Sequence, residues 1–148
     1  MSANVQIIGL KELEADIQKA GYSARGLMTA ALSQSANVLQ RNIRQEAPIK
    51  TGSLKRSIMT SVSYPTATVT EQEKYGRMVE EGTRPHIILP KSKKALFWKG
   101  AFSPYKVVHH PGTKANPFFQ RGIDRSKDAM LDPFIKVAEK LVTMMAGK

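Results

Sequence analysis

The sequence predicts an α+β fold: a small, mainly antiparallel sheet packed against two or three amphipathic helices, with an extended basic β-hairpin-like projection. Three observations predict it. Apolar residues recur at three- and four-residue steps near both ends of the chain, which indicates helices. Short runs rich in Thr, Val and Ser favour strands. Residues 82–119 contain no Asp or Glu, and their short apolar runs alternate with Pro and Gly. We therefore expect a single domain over residues 1–148, with 82–119 as the projection.

The N-terminal third predicts one strand and two helices. Residues 5–8 are partly alternating and apolar, and residues 10–20 have apolar side chains at helical spacing with charged residues between them. A longer helix is predicted over residues 24–46, because Pro48 disfavours helical backbone in the residue before it. Its predicted apolar stripe consists of Met28, Leu32, Ala36, Leu39, Ile43 and Ala47.

The middle of the chain predicts a β-hairpin. Residues 59–63 and 66–70 are runs rich in Thr, Ser and Val on either side of a Tyr-Pro dipeptide, which favours two strands and a turn. The Thr51-Gly52 pair before them predicts a tight turn. Residues 71–81 are predicted to form a short helix or an extended segment.

The C-terminal part, residues 120–146, predicts a helix or a kinked helix whose pattern begins at Phe118. The Asp132-Pro133 pair interrupts the pattern. Either Asp132 caps a fresh helix with Pro133 at its first position, or one long helix is kinked there. The predicted apolar stripe consists of Phe119, Ile123, Leu131, Phe134, Ile135, Ala138, Leu141, Val142 and Met145.

Residues 82–119, here called the basic segment, contain candidate strands at residues 86–89, 95–98 and 105–109. Lysines that lie next to aromatic residues suit a contact with a nucleic acid, while aromatic residues at the centre of a strand are more often buried in a core or a protein interface. The candidate contacts to DNA in a lumen, or to a partner ring, are Arg84, Lys91, Lys93, Lys94, Lys99, Lys106 and Lys114. The candidate interface aromatics are Phe97, Trp98 and Phe102.

Composition narrows the class of protein. The 148 residues carry 23 Lys plus Arg against 12 Asp plus Glu, a net charge of +11, which favours a polyanion or an acidic protein as partner. There is no Cys, so disulfide and thiolate chemistry are excluded. The first residues do not have the pattern of a secretory signal, and no apolar run is long enough to span a membrane. We expect a soluble protein that does not contact membranes.

The sequence predicts no catalytic, cofactor or metal site. His109 and His110 are adjacent, and neighbouring strand residues point to opposite faces, so the two are not expected to bind one metal ion. There is no HExxH motif, no G-x-S-x-G turn and no glycine-rich phosphate loop. We therefore expect that the protein is not an enzyme. An enzyme would need carboxylates from Glu71, Glu73, Glu80 or Glu81.

Five short motifs occur in one order over most of the chain. They are Gly9-Leu10-Lys11-Glu12-Leu13-Glu14, Ala47-Pro48-x-x-Thr51-Gly52-x-Leu54-x-x-Ser57-Ile58, Val79-Glu80-x-Gly82-Thr83, His110-Pro111-Gly112-Thr113 and Asn116-Pro117-Phe118-Phe119. In this order they resemble the tail-completion or head–tail joining proteins of long-tailed bacteriophages, which are also known as minor tail components or virion morphogenesis proteins. The basic segment is longer here than in the minimal form of that family.

The resemblance implies a structural virion protein of the phage neck, a head–tail connector or tail terminator that joins or completes the tail. It implies a sixfold homo-oligomeric ring through which genomic DNA passes, next to portal-side neck proteins and tail-tube proteins. Such a protein is located in the virion and is assembled in the host cytoplasm. The alternative function is a small DNA-binding protein that uses residues 84–114 without sequence specificity.

Overall fold

The computed structural model describes residues 1–6, 9–19, 24–91 and 94–146. The strands are β1 Ser2–Gln6, β2 Ile58–Ser63, β3 Thr66–Glu71, β4 His86–Ile88 and β5 Val108–His110. The helices are α1 Leu10–Lys19, α2 Arg25–Glu46, α3 Ser53–Ser57, α4 Gly76–Glu81, α5 Phe118–Ser126 and α6 Asp132–Ala146. The predicted α+β class is confirmed.

The chain forms two compact units. The first unit contains Met1–Gly76 and Phe118–Lys148, and the second unit contains Arg77–Pro117. The second unit therefore comprises most of the basic segment. The prediction of a single domain with a projection stays a prediction.

The sheet of the first unit has three antiparallel strands in the order β1–β3–β2. Its register places Ala67 in the central strand opposite Val5 on one side and Val62 on the other. Ala67 and Val69 are buried, so this face of the sheet covers the core. The opposite face carries Ser, Thr, Asn and Gln side chains together with the half-exposed Met59. This alternation between a buried and a polar face is typical of an antiparallel sheet covered on one side.

Helix α2 is the element on which the rest of the first unit packs. Leu32 and Ala36 contact Ala67 of the sheet, and Phe134 of α6 lies against the same cluster. Nearer the start of α2, Met28 packs with Leu141 of α6. The predicted stripe of α2 is confirmed in full: Met28, Leu32, Ala36, Leu39, Ile43 and Ala47 are all buried.

The contact between α2 and α5 is made by small and polar residues that the periodicity did not reveal. A Cβ atom placed on Gly122 would lie 2.5 Å from the Cα of Ile43, so the two helices meet backbone to backbone. Beside this contact, the Nδ2 of Asn42 donates to the Oγ of Ser126 at 3.0 Å. The Oγ of Ser126 in turn donates to the Gly122 carbonyl at 2.6 Å. These buried polar groups are satisfied by each other, which removes the cost of burying them.

A second polar link joins the same two helices at their exposed edge. The Nε of Arg121 donates to the Oε2 of Glu46 at 3.0 Å, and the Nη1 of Arg125 donates to the Oε1 of Glu46 at 3.3 Å. The hydrogen bond from Arg121, supported by the one from Arg125, holds the pKa of Glu46 below its usual value. Glu46 is the last residue of α2, so this ion pair fixes the end of the helix against α5.

The C-terminal pattern forms two separate helices, α5 and α6, with turns over residues 127–131 between them. The second helix begins at Asp132, as in the first of the two predicted alternatives. Other predicted features need correction. Leu131, Ile135 and Val142 were predicted to belong to the apolar stripe, but they are 59%, 53% and 66% exposed. The prediction counted every apolar residue near helical spacing as core, while α6 buries only one of its sides. Of the predicted N-terminal strand, Ile7 and Ile8 lie outside the described residues.

Replacing Gly122 by alanine should destabilise the first unit. The added methyl group would meet the backbone of Ile43, which cannot move away as a flexible side chain can. We expect the variant to lose about 1–3 kcal/mol of unfolding free energy. Gly26→Ala is the matched control, because a Cβ atom at Gly26 meets nothing within 4 Å and alanine favours helix. Thermal unfolding measures both, and equal melting temperatures for the two variants would contradict the proposed close contact.

The Glu46 ion pair should make stability depend on pH. Because the folded-state pKa is below the unfolded value of 4.5, the stabilisation is present above that pH and is lost as the pH falls through the folded-state pKa. Glu46→Gln should therefore lower the melting temperature at pH 7, and the difference from the parent should disappear in acid. Glu81→Gln, which breaks an exposed pair with Arg77 inside α4, is the control with a smaller expected effect. A Glu46→Gln deficit that is the same at pH 3 and pH 7 would exclude this cause.

Candidate interaction site in the basic hairpin

The second unit is closed at its base by two Gly-Thr pairs that lie opposite each other. Thr83 and Thr113 exchange both backbone hydrogen bonds, at 2.9 and 3.0 Å. The glycine before each threonine has a positive φ, +75° at Gly82 and +89° at Gly112. A Cβ atom at Gly82 would lie 2.5 Å from the Thr113 carbonyl oxygen, and one at Gly112 would lie 2.3 Å from the Thr83 carbonyl oxygen. Only glycine fits both the conformation and the space.

Above this base the strands β4 and β5 pair antiparallel, which confirms the predicted hairpin. His86 lies directly opposite His110, and their rings stack with centroids 4.9 Å apart. The Nδ1 of His86 donates to the Arg84 carbonyl at 2.9 Å, and the Gly112 amide donates to the Nδ1 of His110 at 3.0 Å. The histidines therefore hold the hairpin together through ring stacking and local backbone contacts.

The two arms of the hairpin differ in length towards the tip. After the pair Ile88–Val108, the next bridge joins Leu96 to Tyr105. Seven residues of the sequence therefore separate the two pairings on the first arm, but only residues 106–107 separate them on the second. The candidate strands at 95–98 and 105–109 are corrected accordingly: the first is a single bridge, and the second is β5 with a separate bridge at Tyr105. The excess residues of the first arm include Lys91 and Lys94.

An apolar groove runs along the upper part of the hairpin, with a volume of about 480 Å³. The Trp98 ring stacks on Tyr105 with centroids 5.4 Å apart and remains half exposed. Phe97 is 69% exposed and Phe102 is fully exposed. The groove is lined by Ile88, Leu96, Phe97, Trp98, Val108 and His110. We call these six residues the hairpin groove.

The cations of the basic segment lie on both sides of these apolar residues in the sequence, and those that the structure describes are exposed to solvent. Among the residues described, each predicted cation is exposed, and none forms an ion pair with a carboxylate. These are Arg84, Lys91, Lys94, Lys99, Lys106 and Lys114. Lys93, the seventh predicted residue, lies outside the described residues. Their charges are therefore not used in holding the described part of the fold together.

The structure brings the predicted aromatics together in part and adds residues that the sequence analysis missed. Phe97 and Trp98 share the hairpin groove, while Phe102 lies at the tip and does not line it. The exposed Ile87 and Leu89 were assigned to a strand without any role in an interface. The stacking of His86 on His110 was also missed. The repeated Gly-Thr pair in the sequence, Gly82-Thr83 and Gly112-Thr113, could have indicated this stacking, because it fixes the register between the two arms.

The described residues contain no cluster of three or more His, Asp or Glu side chains that could hold a metal ion. Glu71, one of the carboxylates that an enzyme would need, is buried. It accepts hydrogen bonds from the Ser57 hydroxyl at 3.2 Å and from the Glu73 amide, so it fixes the loop after β3. None of the helices in the described part of the chain is long and apolar enough to cross a bilayer.

Fold and site together define an α+β protein whose most distinctive surface is a basic and apolar hairpin. In a comparison with known families, residues 11–82, just under half of the chain, match the HK97-gp10-like family, described as "Bacteriophage HK97-gp10, putative tail-component". The resemblance to phage tail proteins that the motifs predicted is thereby confirmed. Neither a curated protein nor a solved structure matches the chain significantly.

The match indicates a phage tail component, a virion protein for which the family suggests a structural and non-enzymatic role. It includes the Ala47–Ile58 motif and ends at Gly82, where the basic segment begins. The two later motifs, around Gly112 and Phe118, lie outside it. The function of the basic segment must therefore be argued from its own residues.

Replacing either base glycine should open the hairpin. Gly82→Ala and Gly112→Ala each place a methyl group against the backbone of the opposite arm, in addition to straining the positive φ. We expect the amide protons of Thr83 and Thr113 to lose their protection from hydrogen exchange. Gly100→Ala is the control, because its φ is also positive but its Cβ atom would meet nothing within 4 Å. Equal exchange in all three variants would show that strain alone, and not the close contact, matters.

Proposed function

We propose that this protein joins or completes the phage tail at the head–tail interface, as a structural protein of the neck that forms a homo-oligomeric ring around the passing DNA. The family match supplies the phage tail context. The single observation that carries the proposal further is the exposed apolar surface of the second unit. Phe97, Phe102, Ile87 and Leu89 are each more than half exposed.

Exposed apolar side chains of this size favour a protein partner. Removing apolar surface from water is favourable by about 25 cal/mol per Å², before the entropic cost of association is subtracted. Monomeric soluble proteins rarely expose contiguous apolar patches larger than a few hundred Å², and larger patches bordered by polar residues are typical of interaction sites. The hairpin groove has such a polar border in the sequence, since Lys94 and Lys99 flank Leu96–Trp98. The partners we propose are other copies of this chain, followed by the portal-side and tail-tube proteins on either side of the ring.

The positive charge supports the passage of DNA through the ring. The cations of the basic segment are exposed and, in the described part of the chain, none forms an ion pair with a carboxylate, so they remain available for phosphate groups. A contact of this kind is independent of DNA sequence. It therefore suits a channel through which a whole genome moves. We propose a sixfold ring, as the resemblance to neck proteins implies.

The second candidate function is a small DNA-binding protein, and one observation favours it. Trp98 is half exposed beside lysines that lack a carboxylate partner among the described residues, an arrangement that could stack on a base. Such a protein would bind DNA as a monomer or dimer, and its affinity would fall steeply as the salt concentration rises.

The mass of the purified protein in solution separates the two functions. We expect a discrete oligomer at micromolar concentration, visible as a closed ring by electron microscopy, with at most weak binding to short duplex DNA at physiological salt. A monomer or dimer that binds duplex tightly, and releases it as salt is raised, would overturn the ring and favour the DNA-binding function.

A charge variant tests which surface meets DNA. Lys91→Gln, Lys94→Gln and Lys99→Gln in one chain should weaken the residual binding to duplex and reduce its dependence on salt. The matched control replaces Lys11, Lys50 and Lys74 by Gln, which removes the same charge from exposed positions outside the basic segment. Equal losses in the two triple variants would mean that net charge, and not the hairpin, governs the contact.

A further inference from the structure

Helix α6 has apolar residues on two sides. One side packs into the first unit, where Leu141 is buried and Phe134 and Val137 are partly buried against α2. The other side also carries large apolar residues: Ile135 is 53% exposed and Val142 is 66% exposed. A helix whose first apolar side already faces the core has no need of a second one for folding. The second side therefore indicates a further contact.

The outward side of α6 combines these apolar residues with carboxylates. Asp132, Ile135, Glu139 and Val142 recur at steps of three, four and three residues, so they share one face, and all four are exposed. We call these four residues the α6 outer stripe. Neither carboxylate belongs to an ion pair within the described part of the chain.

The lysines of α6 do not cancel this charge pattern. At about 100° per residue, Lys136 and Lys140 lie roughly 80–120° around the helix axis from the centre of the stripe. The stripe therefore presents two carboxylates and two apolar side chains in alternation, with the cations on its flank. This pattern is the complement of the second unit, where apolar residues alternate with cations and acids are absent from residues 82–119.

We propose that the hairpin groove of one copy of this chain binds the α6 outer stripe of a neighbouring copy. Ile135 and Val142 would cover the apolar floor of the groove, and Asp132 and Glu139 would meet lysines such as Lys94 and Lys99. An amphipathic helix that lies in an apolar groove is a common mode of recognition. The inference rests on the self-association proposed above and names the two surfaces that make it.

A second copy fits both surfaces better than DNA does. Duplex DNA on the hairpin would neutralise the lysines but would leave Phe97 and Leu89 in contact with water. Duplex DNA on the α6 outer stripe would be repelled by the carboxylates of the stripe. A second copy buries apolar residues on both sides and pairs charges of opposite sign. Because the two surfaces differ, the contact is heterologous, and successive copies would follow one another head to tail until a ring closes.

Two variants with opposite defects test the pairing. Lys94→Glu with Lys99→Glu puts carboxylates on both sides of the groove residues Leu96–Trp98 in the sequence, and Ile135→Lys with Val142→Lys puts cations on the stripe. All four positions are exposed, so the fold should persist, and circular dichroism checks it. We expect each variant alone to lose self-association by about tenfold or more, because like charges would then face each other.

Mixing the two variants distinguishes a heterologous contact from any other. The stripe of the groove variant and the groove of the stripe variant are both intact, so the mixture should recover a one-to-one contact that neither variant makes alone. If the parent protein assembles and both variants assemble equally well, the pairing is wrong while the ring stands. If the parent is monomeric at every concentration, both the ring and the pairing fail.

Cross-linking gives a second measurement that does not depend on charge. The chain contains no Cys, so single cysteines report unambiguous contacts. Phe97→Cys and Val142→Cys chains, mixed and mildly oxidised, should form the mixed disulfide in excess over random pairing. Ser61→Cys, on the exposed face of the sheet, replaces Val142→Cys as the control and should show no such excess. Random pairing in both mixtures would overturn the proposal.

Discussion

The close approach of α5 to α2 is the contact on which the first unit depends. Because Gly122 has no side chain, the backbone of α5 reaches that of α2 at Ile43, and no larger residue would allow it. Instead of large side chains, this contact contains two buried hydrogen bonds. Asn42 donates to Ser126, and Ser126 donates to the Gly122 carbonyl. This geometry also places two arginines of α5 within reach of Glu46. One glycine thus determines both the packing and the electrostatics of this side of the unit.

The second unit is organised by its backbone instead of by a core. Its base consists of reciprocal hydrogen bonds between two threonines, each made possible by a glycine with positive φ. A two-stranded hairpin alone is at most marginally stable in water, since it buries little apolar surface. The large side chains of this unit are consequently left exposed, with Phe102 fully so. A partner that covers them would stabilise the hairpin as well as bind it, by the general coupling of binding and stability.

Periodicity predicted the parts of the fold that obey one regular pattern. The stripe of α2 has a single apolar side, and every predicted residue of it is buried. In α6 the same rule failed for Ile135 and Val142, because spacing shows where apolar residues lie but not which side meets the core. Gly122 and Ser126 could not be recognised, since a close backbone contact depends on the partner helix. In the site, the cations followed directly from the sequence, while the groove required the register set by Gly82 and Gly112.

Charge and apolar area have separate roles in the proposed ring. Apolar contact supplies most of the affinity in protein interfaces, while complementary charge chiefly sets orientation and selects partners. The cations of the basic segment form no ion pair in the described part of this chain, so the described fold does not require them. One outer stripe of α6 offers two carboxylates to a basic segment with seven predicted cations, so a positive surplus would remain after the copies have joined. A protein channel through which DNA passes needs such a surplus of positive charge on its wall. Contact between copies and contact with DNA are therefore compatible uses of the same hairpin.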